Sequence, residues 1–247
     1  MLLFDHLLVI VFAAIYPITG FIGFRRLLER AAAGTPIDRN HLYNSTMLNH
    51  WILFFAVLLI WVNTARPWSS LGFELHLDRW FFIALGLTVA GIVFLLVQVR
   101  QVMRADKKGL AEIRAQFGKL ALVIPQNGNE LTRFYLLSVT AGIVEEILWR
   151  GFLIWYLSLV MPLWAAALVS TVGFGLAHAY QGLSQLPKIT LVGGVFAGLY
   201  LLSGSIWLPM FLHVAVDILQ GRLAYEAIHR TDSADYNLGE EAAESTP

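Results

Sequence analysis

Long apolar runs separated by short polar linkers make up most of this chain. A helix needs about 20 apolar residues to cross a bilayer. Seven runs reach or approach that length, namely 7–24, 47–65, 80–99, 131–161, 163–180, 189–202 and 206–221. The pattern predicts an all-α fold, a polytopic membrane helical bundle of about seven transmembrane helices.

The one long polar segment, 100–130, divides the chain. Within it, Leu110, Ile113 and Phe117 fall at helical spacing, so we expect part of it to lie on the membrane surface as an amphipathic helix. The predicted organisation is an N-terminal three-helix membrane region with cytoplasmic linkers, a membrane core and an acidic disordered tail, over residues 1–130, 131–228 and 229–247.

The linkers differ in basic residues, and this difference predicts the orientation in the membrane. Four arginines lie in 25–43 and six lysines or arginines in 100–130, whereas 66–79 holds two arginines. Short loops rich in Lys and Arg stay cytoplasmic. We therefore expect the N-terminus outside and the C-terminus in the cytoplasm.

Composition supports a membrane protein and excludes some functions. Hydrophobic residues make up 57% of the chain and charged residues 14%, against about 25% in soluble domains. Formal net charge is zero, so a nucleic-acid partner is not expected. The chain has no cysteine, which excludes disulfides and thiol catalysis.

Ionisable residues inside the last four apolar runs are the candidate functional groups, because such residues are rare within membrane spans. Glu145 and Glu146 point about 100° apart on a helix, and Arg150 lies on the face of Glu146. Glu146 and Arg150 should therefore pair, which leaves Glu145 unpaired and able to serve as a general base. Alternatively, both glutamates pair elsewhere and only hold helices together.

Two histidines follow on later spans. His178 lies one turn after Phe174, which should pack beside its imidazole, and His213 and Asp217 share one helix face. Such groups can bind one divalent ion or hold one water for attack on a carbonyl. The alternative is that His178 is a hydrogen-bonded packing residue and that His213 and Asp217 form an isolated pair.

Taken together, these segments resemble a known family. In order and spacing, Glu145-Glu146-x-x-x-Arg150, Phe174-x-x-x-His178 and His213-x-x-x-Asp217 resemble the three motifs of the CPBP (or ABI) intramembrane protease family. That family includes the type II CAAX prenyl proteases and bacteriocin-immunity relatives, and the resemblance covers about residues 131–225.

The resemblance implies a function and assigns roles. It implies an intramembrane endopeptidase, glutamate-dependent or metal-dependent, that cleaves a membrane-associated protein or peptide within the lipid bilayer. Glu145 would activate water, and a divalent metal such as zinc is an option for the site. The implied catalytic residues are Glu145, His178, His213 and Asp217; the implied metal ligands are His178, His213 and Asp217; the implied supporting residues are Glu146, Arg150 and Phe174.

Position 217 points to a bacterial relative, because the last motif residue is Asn in the prenyl proteases and often Asp in bacterial members. The expected location is then the bacterial inner (cell) membrane. Two other functions stay open, a non-catalytic bacteriocin-immunity or membrane scaffold protein of the same fold, and a proton- or ion-coupled transporter.

Overall fold

The computed structural model describes residues 2–244, except for the side chains of Lys107 and of residues beyond 230. Eight helices form the described part, which contains no strand, so the all-α prediction is confirmed. They are α1 (Leu3–Ala32), α2 (Arg39–Asn63), α3 (Arg79–Arg104), α4 (Lys107–Phe117), α5 (128–158), α6 (Leu163–Ala177), α7 (Leu186–Ser203) and α8 (Trp207–Glu244). Short 3-10 turns occupy Trp68–Leu71, Gly118–Val123 and Ala179–Gln181.

Within the described residues, four helices are long and apolar enough to cross a membrane, α1, α2, α3 and α7. The other three predicted spans are helical too, but α6 has 15 residues, and α5 and α8 carry the ionisable residues of the candidate site. Polar groups thus lower the hydropathy of the helices that are expected to hold the site. The chain is an all-α membrane bundle. Length and composition alone identify four of its seven predicted spans.

Helix α5 packs most extensively against α8 and α2. Along α5 and α8 the contacts run in opposite directions, since Gly151 lies against Ile206 and Gly142 against Val214. The two helices are therefore antiparallel. A Cβ on Gly142 would lie 2.8 Å from the backbone nitrogen of Val214, so only glycine allows this approach.

Helix α1 packs against α2 and α6 and is fixed near its start by an ion pair. Arg66, in the loop after α2, donates to both carboxylate oxygens of Asp5 at 2.7 and 2.8 Å. The Asp5 side chain is fully buried. Further along α1, Phe12 packs edge-on against Trp149 and Phe152 of α5. This packing places the first half of α1 against the second half of α5.

Helix α4 was expected on the membrane surface. It is amphipathic as predicted, but Leu110, Ile113 and Phe117 pack with Ala227 of α8 and Val102 of α3. The apolar face of α4 therefore packs against α3 and α8. Separately, α8 is helical to Glu244, whereas the sequence predicted a disordered tail over 229–247. The run Glu-Glu-Ala-Ala-Glu before Ser245 has high helix propensity, which favours this continuation. Residues 245–247 lie outside the described part.

Candidate active site

A buried network surrounds Glu146 on α5. Its Oε1 accepts hydrogen bonds from Arg150 Nη1 at 2.9 Å and from His213 Nδ1 at 2.8 Å. Arg150 Nη2 donates to the main-chain carbonyl of Gly193 on α7 at 2.9 Å. Glu146 and Arg150 are fully buried. The predicted pair is thus present, and it connects α5 to α7 and α8.

Aromatic rings cover this network. The Arg150 guanidinium carbon lies 4.4 Å from the centroid of the Phe174 ring and 5.3 Å from that of Phe196. The Phe196 ring stacks on His213 with centroids 4.8 Å apart. Phe174 also contacts both His178 and His213. These rings exclude water from the ion pair and fix the planes of the two imidazoles.

Immediately after Glu146, α5 changes to a π-helical stretch, Ile147–Leu153. Such stretches alter the regular backbone bonding and are frequent at functional sites. The buried hydroxyl of Ser170 on α6 donates to the carbonyl of Trp149 at 2.6 Å. A side chain of the neighbouring helix therefore satisfies a carbonyl within the π stretch.

Glu145 is not unpaired, which corrects the sequence-based expectation. Its Oε1 lies 2.9 Å from Nε2 of His50 on α2. Its other oxygen, Oε2, is buried and has no hydrogen-bond partner among the described residues. The partner was missed because it lies 95 positions earlier in the chain. The available signal was that His50 is an ionisable residue inside an apolar run.

His178 ends α6 and faces Glu145. Its Nδ1 donates to the carbonyl of Phe174 at 2.8 Å, and its Nε2 lies 3.8 Å from Glu145 Oε2. His178 is the residue directly after the last residue of α6, Ala177, and its ring lies against Glu145.

His213 and Asp217 lie on one face of α8, as their spacing predicts. His213 Nε2 is 3.7 Å from Asp217 Oδ2, too far for a hydrogen bond. The Asp217 side chain is 33% exposed and that of His213 6%. Asp217 is therefore the more exposed of the two, and His213 is buried against Glu146.

The arrangement of the site residues bears on whether they could hold a metal ion. No group of three or more His, Cys, Asp or Glu side chains in the described part of the chain is arranged to hold a metal ion. Glu145 faces His50 and His178, whereas His213 faces Glu146 and Asp217. The three predicted ligands, His178, His213 and Asp217, do not form a common metal centre in this arrangement.

Comparison with known proteins supports the resemblance stated from the motifs. Residues 127–219 match the family model described as Rce1-like, type II CAAX prenyl endopeptidase. The chain is 35% identical over 80 residues to the Bacillus subtilis (strain 168) protein named "Putative membrane peptidase YdiL". That match covers 32% of this chain and 32% of the relative, so it spans about a third of either protein. No solved structure matches the chain significantly. Both matches point to membrane peptidases, which confirms the resemblance to the CPBP family.

Proposed function

Residues 127–219 carry the sequence signature of the type II CAAX prenyl endopeptidase family, and from that premise we propose that this chain is an intramembrane endopeptidase. It hydrolyses a peptide bond of a membrane-associated protein or peptide, and Glu145 activates the attacking water. The observation that carries the proposal is the position of Glu145 Oε2, buried and 3.8 Å from His178 Nε2.

The hydrogen bonds of His178 define its free nitrogen. A carbonyl oxygen only accepts, so the proton of a neutral His178 ring lies on Nδ1, bonded to Phe174. Nε2 then carries a lone pair towards Glu145. A water between Glu145 Oε2 and His178 Nε2 can donate one proton to each, which leaves its oxygen lone pair free for a substrate carbonyl carbon.

The proposed reaction is general-base hydrolysis. The water oxygen bonds to the carbonyl carbon while one proton passes to Glu145, and a tetrahedral intermediate forms. The carbon–nitrogen bond then breaks, and the proton on Glu145 moves to the leaving amine. His213 Nε2 lies beside Asp217 and, when protonated, can donate to the developing oxyanion. Glu146, Arg150 and Phe174 support the site by fixing His213 and the π stretch.

The proposal extends to the class of substrate and to the location of the protein. The substrate is a membrane-associated protein or peptide, because the site lies within a bundle of apolar helices. The proposed location is the bacterial inner membrane, with the N-terminus outside and the C-terminus cytoplasmic. Asp217 stands where the prenyl proteases have Asn, so the proposal does not extend to prenylated substrates.

The test compares membrane proteomes of cells that produce the wild-type chain or Glu145→Gln, with free N-termini labelled. Cells with the wild type should show a set of new N-termini. The abundance of these N-termini should fall about 10²–10⁴-fold with Glu145→Gln, the usual range for losing a general base. Both proteins should reach equal abundance in the membrane. Glu74→Gln is the matched control, because that glutamate is 56% exposed on a loop.

An identical set of N-termini with wild type and Glu145→Gln would contradict the proposal. The non-catalytic immunity or scaffold protein of the same fold would then be the better description.

A further inference from the structure

His50 stands outside the segment that matches the peptidase family. It lies on α2, is 4% exposed, and directs Nε2 at Glu145 Oε1 at 2.9 Å. We propose that His50 is a positioning residue for Glu145, so that the site is completed by the N-terminal helices. This inference rests on the proposed function of Glu145 as the base.

The environment of His50 fixes where its protons lie. Nδ1 is 2.8 Å from the carbonyl of Thr46, which can only accept a hydrogen bond. Nε2 faces a carboxylate. When Glu145 is ionised, both ring nitrogens must therefore carry protons, and His50 is an imidazolium paired with the buried carboxylate. A buried charge needs such a partner, since an uncompensated one is strongly destabilising.

The contact also gives the two carboxylate oxygens of Glu145 different roles. His50 occupies Oε1, and Oε2 is left towards His178. Without His50 the carboxylate can rotate about its terminal torsion, which is broad for glutamate. The base would then spend less time aimed at the water. His50 thus acts through Glu145 and makes no contact with the reacting atoms.

A third helix holds the imidazole. Tyr16 of α1 places its hydroxyl 3.2 Å from His50 Nδ1, and its ring meets the imidazole edge-on with centroids 5.7 Å apart. Thr46 and Tyr16 together fix the plane of the His50 ring. Residues 127–219 alone therefore lack the groups that aim the base, and α1 and α2 supply them.

The test measures hydrolysis by the full-length chain in detergent. The probe is an internally quenched peptide that contains a cleavage sequence found in the proteome comparison. His50→Ala should lower kcat about 100-fold, the size of effect expected from displacing a reacting group by about 1 Å. KM should stay within about twofold of the wild type, because His50 does not contact substrate.

His6→Ala is the matched control. His6 also lies against a tyrosine, with Nδ1 2.6 Å from the Tyr156 hydroxyl, but it belongs to the start of α1. Its removal should leave kcat unchanged. His50→Gln serves as the conservative variant, since its amide can donate to Glu145 without a charge, and it should recover part of the lost kcat.

Chemical rescue separates positioning from packing. Added imidazole should restore activity to His50→Ala, whereas pyrazole, a ring of the same size but far weaker basicity, should not. Equal rescue by both rings, or a kcat of His50→Ala and His50→Gln equal to that of the wild type, would overturn the inference while the proposed function stands.

Stability provides a readout that needs no activity. In thermal melts, the Tm losses of His50→Gln and Glu145→Gln should not add in the double variant, because each variant removes the same ion pair between His50 and Glu145. Additive losses would overturn the pairing of His50 with Glu145. If Glu145→Gln cleaves like the wild type, the proposed function fails, whatever the melts show for the pair.

Discussion

Arg150 donates a hydrogen bond to the main-chain carbonyl of Gly193 at 2.9 Å, although the two residues are 43 positions apart. The same guanidinium pairs with Glu146 one turn earlier on α5. A planar guanidinium with several donors can serve both acceptors at once, which an ammonium group cannot do with the same geometry. Arg150 therefore links the candidate site on α5 to the backbone of α7.

Glu146→Ala and Arg150→Ala should each lower the free energy of unfolding by about 3–5 kcal/mol, because each leaves an uncompensated buried charge. Thermal melts in detergent, together with the yield of folded protein, measure the effect. The control is Glu226→Ala, which breaks another Arg–Glu pair at the same spacing, with Arg222, whose side chain is 44% exposed. The melting temperature of Glu226→Ala should move little. If Glu146→Ala and Arg150→Ala both melt at the temperature of the wild type, the pair adds no stability.

Gly193→Ala should disturb the site through packing. An added Cβ would lie 2.9 Å from Phe174 Cδ1 and 3.2 Å from Arg150 Nη2. Crowding of this kind typically lowers stability by about 1–3 kcal/mol, and here it also displaces Phe174 from His178. Gly198→Ala on the same helix is the control, because nothing lies within 4 Å of its added Cβ. We expect a lower melting temperature and weaker peptide cleavage for Gly193→Ala alone; equal behaviour of the two variants would refute this account.

Breaking the ion pair between Asp5 and Arg66 should loosen α1. Asp5→Ala leaves the guanidinium without its carboxylate, and Arg66→Ala leaves a fully buried charge, at a cost of about 3–5 kcal/mol for the latter. The chain has no cysteine, so Phe12→Cys and Phe152→Cys can report contact between α1 and α5 by cross-linking. Cross-linking should be efficient in the wild-type background and weaker with Arg66→Ala. Unchanged cross-linking would mean that other contacts hold α1 in place.

Much of the site could be predicted because many of its contacts join residues that are close together in the sequence. The spacing of four between Glu146 and Arg150 places both on one face, and the structure has their hydrogen bond. The same rule put Phe174 beside His178. Apolar runs were enough to predict all-α membrane architecture, since the bilayer demands internally bonded helices. The catalytic roles of the site residues stay predictions.

What could not be predicted depends on pairs that are distant in the chain. A single sequence gives no signal that His50 meets Glu145, so Glu145 was expected to be unpaired. The partner of α4 could not be predicted for a similar reason, because an amphipathic face predicts an apolar partner without saying whether it is lipid or another helix. Length and composition alone identify four of the predicted spans, because charged residues interrupt the apolar pattern of α5 and α8 and because α6 has 15 residues.

The ion pair of α1 has a consequence for biosynthesis. Asp5 is made 61 residues before Arg66, and His50 is made 95 residues before Glu145. At about 5–20 residues per second, ribosomes need roughly 5–20 s to add the latter interval. During that time α2 enters the bilayer with His50 before Glu145 exists, whereas Arg66 is made early enough to meet Asp5. The helices must therefore insert first and associate afterwards, and the pairs that complete the site form only when α5 arrives.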